Sequence, residues 1–243
     1  GWRDGRVRGV ARDQHGRVWI GSMDQGLHWL DLARGVVHSL PAAEQPARRI
    51  WVIQRRGDQL WLGHNAGVTR YTLSADGLSA RRDWLREDLV GGHVDLLALA
   101  PEGVVWAASM GAGLSRIDPD GSVRRYAFAE RGLLGLNVQQ LGLADGSLLV
   151  ATDAGLFRHQ ADCDCFAAVF AGSRSVEAFV EAEPGQWYVY ADAQLERFRG
   201  GAMWQRDPEF AAQAMGRWAT VGGMAWDGSQ LWLAGPQGLA RFD

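Results

Sequence analysis

Apolar and polar residues alternate along this chain in short runs, and turn-forming residues break nearly every run within ten positions. Runs such as Ile50-Trp51-Val52-Ile53, Val94-Asp95-Leu96-Leu97-Ala98-Leu99 and Val138-Gln139-Gln140-Leu141-Gly142-Leu143 are rich in aliphatic residues and predict strands. A turn marked by glycine follows each such run: Gln14-His15-Gly16, Arg56-Gly57-Asp58, Pro101-Glu102-Gly103, Asp145-Gly146, Pro184-Gly185 and Asp227-Gly228. Gly, Asp and Pro supply the backbone angles and local hydrogen bonds that tight hairpins need. No long stripe of 3.6-residue period survives these breaks, which argues against a helical array. The stretch Pro208-Glu209-Phe210-Ala211-Ala212-Gln213-Ala214-Met215 is the exception and predicts a helical turn.

The pattern recurs. Val18-Trp19-Ile20-Gly21, Leu60-Trp61-Leu62-Gly63, Val105-Trp106-Ala107-Ala108, Leu148-Leu149-Val150-Ala151, Trp187-Tyr188-Val189-Tyr190 and Leu231-Trp232-Leu233-Ala234 fall into register. Counted at the Trp position, the steps are 42, 45, 43, 39 and 44 residues. A third strand follows each (Leu27-His28-Trp29-Leu30-Asp31, Leu114-Ser115-Arg116-Ile117-Asp118), and a looser outer strand closes several repeats. Four short strands per repeat of this length describe a propeller blade. The prediction is an all-β chain, one β-propeller domain over residues 1–243 with about six four-stranded blades. The blade repeats fall roughly at 5–45, 46–90, 91–133, 134–172, 173–215 and 216–243. A Trp recurring at one place packs between adjacent blades. Trp51, Trp84 and Trp204 lie off that register and are expected in a pocket or an interface. The sixth repeat reaches Arg241-Phe242-Asp243 with its third strand just finished, which would expose a strand edge. Either residues before Gly5 supply the missing strand or the chain is an excised part of a longer propeller; the second is the expectation.

Composition removes several functions. The chain has 243 residues, a formal charge of −3 and no lysine, and its arginines are scattered among acids. No basic stripe exists to follow a phosphate backbone, so no nucleic acid partner is expected. No apolar run approaches the ~18 residues of a membrane helix, so no membrane contact by this chain itself is expected. The first residues show no signal peptide, which is either lacking or already removed. Cys163 and Cys165 are one residue apart, where a disulfide is awkward in an extended strand. With Asp162 and Asp164 they make only a weak metal site, and no metal is predicted.

Catalytic motifs are equally scarce. A Gly-x-Ser-x-Gly elbow, a His-Glu-x-x-His pair and a phosphate-binding loop are all missing, and no histidine sits in a triad context. No catalytic residue and no cofactor is predicted. In a propeller, the loops after the second strand and before the first gather on one face. One set carries His64, Asn65, Met110 and Asp153, and the other carries Arg49, His93, Asn137 and Arg174. Polar groups converging on the mouth of the central channel make these eight the candidate ligand-binding residues.

The stretch Asp13-Gln14-His15-Gly16-Arg17-Val18-Trp19-Ile20-Gly21-Ser22, followed by Gln25-Gly26-Leu27, resembles the two-component regulator propeller repeat. Gly132-Leu133-Leu134-Gly135-Leu136-Asn137-Val138 is similar to that family's linker, and Leu89-Val90-Gly91-Gly92-His93-Val94 matches it more loosely. The resemblance spans essentially the whole chain and is weakest in the fifth repeat. It implies the extracytoplasmic sensor portion of a bacterial hybrid histidine kinase or diguanylate cyclase, in the periplasm. Such a portion binds a small polar ligand, often a carbohydrate, and signals to an output elsewhere. A homodimer formed through a C-terminal portion beyond Asp243 is the expected assembly. Two rival functions stay open: a protein-interaction scaffold, and a propeller hydrolase or lyase whose dispersed residues no linear motif reveals.

Overall fold

The computed structural model describes residues 6–170, 172–201, 203–210, 213–214 and 221–242. Alternation becomes antiparallel pairing throughout, and no α-helix occurs among the described residues. The sheets fall into two compact units, residues 1–127 and 128–243.

The first unit holds three four-stranded sheets. Blade one comprises β1 (Val7–Arg12), β2 (Arg17–Ser22), β3 (Gly26–Asp31) and β4 (Val36–Ser39). Blade two comprises β5 (Ile50–Arg56), β6 (Gln59–His64), β7 (Gly67–Ser74) and β8 (Gly77–Leu85). Blade three comprises β9 (Val94–Leu99), β10 (Val105–Ser109), β11 (Gly113–Ile117) and β12 (Val123–Ala127). In the second unit, blade four is β13 (Val138–Ala144), β14 (Ser147–Thr152), β15 (Gly155–Gln160) and β16 (Cys165–Ala168). Blade five is β17 (Val176–Glu183), β18 (Gln186–Ala191), β19 (Gln194–Arg199), β20 (Gln205–Arg206) and β21 (Gln213–Ala214), the last two both pairing with β19. Blade six is β22 (Gly223–Trp226), β23 (Leu231–Gly235) and β24 (Gly238–Phe242). The fold is a β-propeller of six blades. Of the stretch expected to be helical, Pro208–Phe210 form a turn and bend and Gln213–Ala214 pair as a strand; Ala211, Ala212 and Met215 lie outside the described residues.

Packing explains the repeat. Trp19 is 1% exposed and packs with Leu27 of its own blade against Ile50, Ile53, Leu60 and Leu62 of blade two. Trp61 does the same against Val94, Leu97, Val105 and Ala107 of blade three. The glycine two residues after the Trp lets the next blade approach. A Cβ on Gly21 would lie 2.6 Å from Ile50 Cγ2, and one on Gly63 would lie 2.6 Å from Val52 Cγ1 and 2.9 Å from the Val94 carbonyl. Two off-register tryptophans join this core, and Trp84 also lines a cavity of the first unit. Trp84 stacks on Trp61 with centroids 5.3 Å apart and donates to the Gly121 carbonyl, and Trp204 stacks on Trp187 at 4.6 Å. Both are buried.

The first strand of each of the first five blades shares a further device. Against β2, β1 steps from Val7 to Gly9 while its partner moves by one residue, leaving Arg8 as the extra residue of a β-bulge. Trp51 is extra in β5, Asp95 in β9, Gln139 in β13 and Glu177 in β17. A bulge twists the strand and re-aims one side chain.

The cysteines correct one expectation: Cys163 and Cys165 are joined in a disulfide. Residues i and i+2 of a regular strand lie about 6.6 Å apart. Here Asp164, at φ 51°, turns the chain between them and brings the Cα atoms to 5.2 Å, inside the range that a disulfide spans.

Candidate functional site

Two loop sets meet in every blade of the first five through one recurring backbone hydrogen bond. The first residue after the second strand donates its N–H to the carbonyl of a residue preceding the first strand. Met23 donates to Arg6, Asn65 to Arg49, Met110 to His93, Asp153 to Asn137 and Asp192 to Ser175, over 3.0 to 3.3 Å. Three candidate pairs are thus neighbours within their blades: Asn65 with Arg49, Met110 with His93, and Asp153 with Asn137.

Between blades two and three this arrangement opens into a cavity of about 580 Å³. Asn65 and Ala66 enter from the β6–β7 turn, Arg86 and Glu87 from the loop after β8, Gly91, Gly92 and His93 from the approach to β9, and Met110 and Ala112 from the β10–β11 turn. The loop after β8 is held in place from behind. Asp88 Oδ2 accepts the Leu85 N–H at 2.9 Å, and the Arg125 guanidinium donates to the carbonyls of Glu87 and Asp88. Two glycines keep the approach to β9 close to its neighbours. A Cβ on Gly91, at φ +80°, would meet the Ala112 Cβ at 2.9 Å, and one on Gly92 would meet the Arg86 side chain at 3.0 Å. Two other first-unit cavities offer less. At one, Arg82 and Arg125 spend donors on backbone carbonyls; at the other, Arg17 spends its donors on Asp13 and on the Ser74 and Ala75 carbonyls.

His93 connects this cavity to the bulge residues. Its ring lies 4.5 Å from that of Trp51, and the Arg8 guanidinium sits 5.4 Å from the Trp51 ring centroid. Asp95 lies within electrostatic reach of both His93 and Arg8. Burial pushes the Asp95 carboxyl above its ordinary value, and a hydrogen bond from its own backbone N–H, with His93 and Arg8 nearby, only partly opposes this. Ionised Asp95 therefore costs stability near neutrality. Asp95→Asn is expected to raise the melting temperature at pH 7, with the gain shrinking as pH falls through the carboxyl range; thermal denaturation of both proteins checks this.

The remaining candidates do not line this cavity. His64 is wholly buried; its Nε2–H meets Thr69 Oγ1 at 2.9 Å and its Nδ1 accepts the Ala66 N–H at 3.2 Å. Burial above all pushes its pKa down to about 4, so it stays neutral at physiological pH. Arg49 is exposed beside the cavity loops. In the second unit, Asp153 Oδ1 accepts the Leu136 and Asn137 N–H groups at 2.7 and 3.2 Å, which orders the approach to β13. Arg174 pairs with the buried Glu196 and lies 5.2 Å from the Phe170 ring centroid.

Arg86, Glu87, Gly91 and Gly92, and the cluster of Arg8, Trp51 and Asp95, were not among the candidates. The bulges did leave a signal. Ile50 and Ile53, Val94 and Leu97, Val138 and Leu141, and Val176 and Phe179, all at least half-buried, are spaced by three. A regular strand repeats its buried face every two residues, so a spacing of three marks one inserted residue. Among the described residues, no group of three or more His, Cys, Asp or Glu side chains is gathered as a metal site requires.

No family model and no curated protein matches this sequence. Several solved structures match its fold. A domain assigned as the extracellular part of hybrid two component system BT4673 of B. thetaiotaomicron aligns over 100% of this chain, with TM-score 0.75 and 17% identity. The chain spans 32% of that domain's length. Virginiamycin B lyase from Staphylococcus aureus aligns over 99% of this chain and 85% of its own, with TM-score 0.67 and 14% identity. A chain of the mitotic checkpoint complex aligns over 98% of this chain and 74% of its own, with TM-score 0.73 and 13% identity. At these identities the likeness speaks for the fold alone.

Proposed function

We propose that this chain is a ligand-sensing propeller module of an extracytoplasmic bacterial signal-transduction protein, and that it binds a small polar ligand in the cavity between blades two and three. The observation that carries this reading is the cavity itself. Three connections line one concavity that presents a neutral amide, a histidine, an arginine and a glutamate, on a framework fixed by hydrogen bonds behind it. The likeness to an extracellular two-component domain supports the setting. In this role the ligand acts by differential affinity, favouring whichever arrangement of the surrounding protein encloses it better.

A thermal-shift screen against neutral saccharides and organic acids tests the reading. A ligand at about 100 times its dissociation constant adds roughly 2.7 kcal/mol. The expected result is a saturable rise in melting temperature with one ligand class, abolished in Asn65→Ala and His93→Ala. A cooperative melt that no compound shifts would overturn it and favour a scaffold. The likeness to a propeller lyase gives a second reading, supported by the half-buried carboxyl of Asp95 near His93. Recovery of the bound compound unchanged after long incubation would exclude that alternative for the compound found.

A further inference from the structure

We infer that the bulge residues Arg8, Trp51 and Asp95, which adjoin the cavity through its lining residue His93, form with His93 a polar cluster that selects a small hydroxylated carboxylate, such as a sugar acid or hydroxy acid. This rests on the ligand-binding reading above and adds the ligand's chemistry to it.

The first strands β1, β5 and β9 are neighbours within the first unit, so their bulges stand side by side. A bulge at one position of successive blades sets a fixed framework with a free choice of side chain. The residues placed there are a cation, an indole and an acid. The Trp51 Nε1 and His93 Nε2 atoms are both buried and without a hydrogen-bond partner. Buried ring nitrogens are nearly always paired, and two orphans on rings in contact call for a common explanation. The Arg8 guanidinium stands over the same indole.

The Arg8 guanidinium and the Trp51 indole N–H can only donate, and with the ring proton on His93 Nε2 donors outnumber acceptors in this cluster. A carboxylate accepts from a guanidinium in two parallel hydrogen bonds and has lone pairs left for ring N–H groups. Asp95 is the one acid of the set, and a hydroxyl on the carbon next to the ligand's carboxylate would donate to it. A neutral sugar leaves Arg8 without an anion, and a simple carboxylate leaves Asp95 without a donor. The hydroxy acid satisfies both.

The test uses the whole chain labelled with ¹⁵N at tryptophan, with the Trp51 indole resonance assigned through Trp51→Phe. Glucuronate, gluconate, tartrate and lactate are titrated, with glucose and propionate as matched partners. The expected result is a saturable shift of the Trp51 indole N–H with at least one hydroxy acid. Glucose should bind at least about tenfold more weakly, as losing one charge-assisted contact predicts. Arg8→Gln should weaken the acid about ten- to a hundredfold, and Arg8→Lys should restore part of that loss. Asp95→Asn should narrow the gap between lactate and propionate. Arg8 is exposed, so its substitution leaves the fold intact. If the Trp51 resonance stays still with every acid, or responds equally in Arg8→Gln, the inference fails. If neutral sugars then bind in a manner sensitive to Asn65→Ala, the cavity reading survives while the acid class is lost. If nothing binds, both fall.

Discussion

Asp13→Ala is expected to destabilise the protein by about 3–5 kcal/mol, the loss typical of removing one partner from a buried ion pair. Asp13 is 5% exposed and closes the first turn of blade one. Its Oδ2 accepts the Trp19 indole N–H at 2.9 Å and Arg17 Nε at 2.6 Å. Its Oδ1 accepts the backbone N–H groups of His15 and Arg17 at 2.8 and 3.0 Å. Burial alone would raise this carboxyl's pKa, yet hydrogen bonds from Trp19 and Arg17 hold it below the ordinary value. Arg17 also reaches the carbonyls of Ser74 and Ala75 in blade two, so the cluster ties two blades together. Alanine would strand a buried guanidinium and a buried indole N–H. Asn keeps an Oδ1 acceptor for the His15 and Arg17 backbone N–H groups but turns its amide NH2 toward the Arg17 and Trp19 donors, and should cost roughly 1.5–3 kcal/mol, the scale of a lost hydrogen bond to a charged group. Arg34→Ala, which breaks a pair whose arginine side chain is 80% exposed, should stay within about 0.5 kcal/mol. Urea midpoints of the parent and the three variants measure this. Equal losses in Asp13→Ala and Arg34→Ala would refute the account.

That cluster also shows why the fold was legible. Blade six repeats the bond, with Asp227 Oδ2 accepting the Trp232 indole N–H at 2.7 Å. In blade two Gln59 supplies the acceptor for Trp61 instead. An acidic turn residue, a Trp and a glycine recur because the first holds the indole, the second fills the space between blades, and the third admits the next strand. Periodicity exposes such residues. Trp84 and Trp204 escaped because they stack on Trp61 and Trp187 from segments whose alternation is weak, β8 and the connection before β20. The cavity between blades two and three was half legible. Asn65, His93 and Met110 lie in loops whose position follows from blade topology alone. Arg8 and Asp95 were read as ordinary strand residues, because a single bulge inverts the faces on which neighbouring side chains emerge, whereas Trp51 stood out by lying off the tryptophan register. Cys163 and Cys165 eluded strand geometry for a similar reason, since one residue in the left-handed region replaced the extended path.

Acidification should expose His64 as a second point of control. Its ring stays neutral in the fold because burial, outweighing the nearby Asp83 and reinforced by Arg81, holds its pKa at about 4, whereas an unfolded chain titrates near 6.5. Above pH 6.5 both states carry a neutral ring, and this residue adds no pH dependence. Between pH 6.5 and 4 the unfolded chain takes up a proton that the folded one refuses. Stability then falls with a slope approaching about 1.4 kcal/mol per pH unit, to a total of roughly 3 kcal/mol at pH 4. Asp95 works in the opposite direction over the lower part of that range, since protonation relieves its burial. His64→Asn separates the two, because the Asn Oδ1 can take the Ala66 N–H that Nδ1 now accepts. The variant should be less stable at pH 7 through loss of the Thr69 contact, yet lose much less on going to pH 4. Denaturation midpoints at pH 7, 5.5 and 4 decide the matter: parallel curves for the two proteins would mean that His64 is not the buried group resisting the proton, while converging curves would assign it that role.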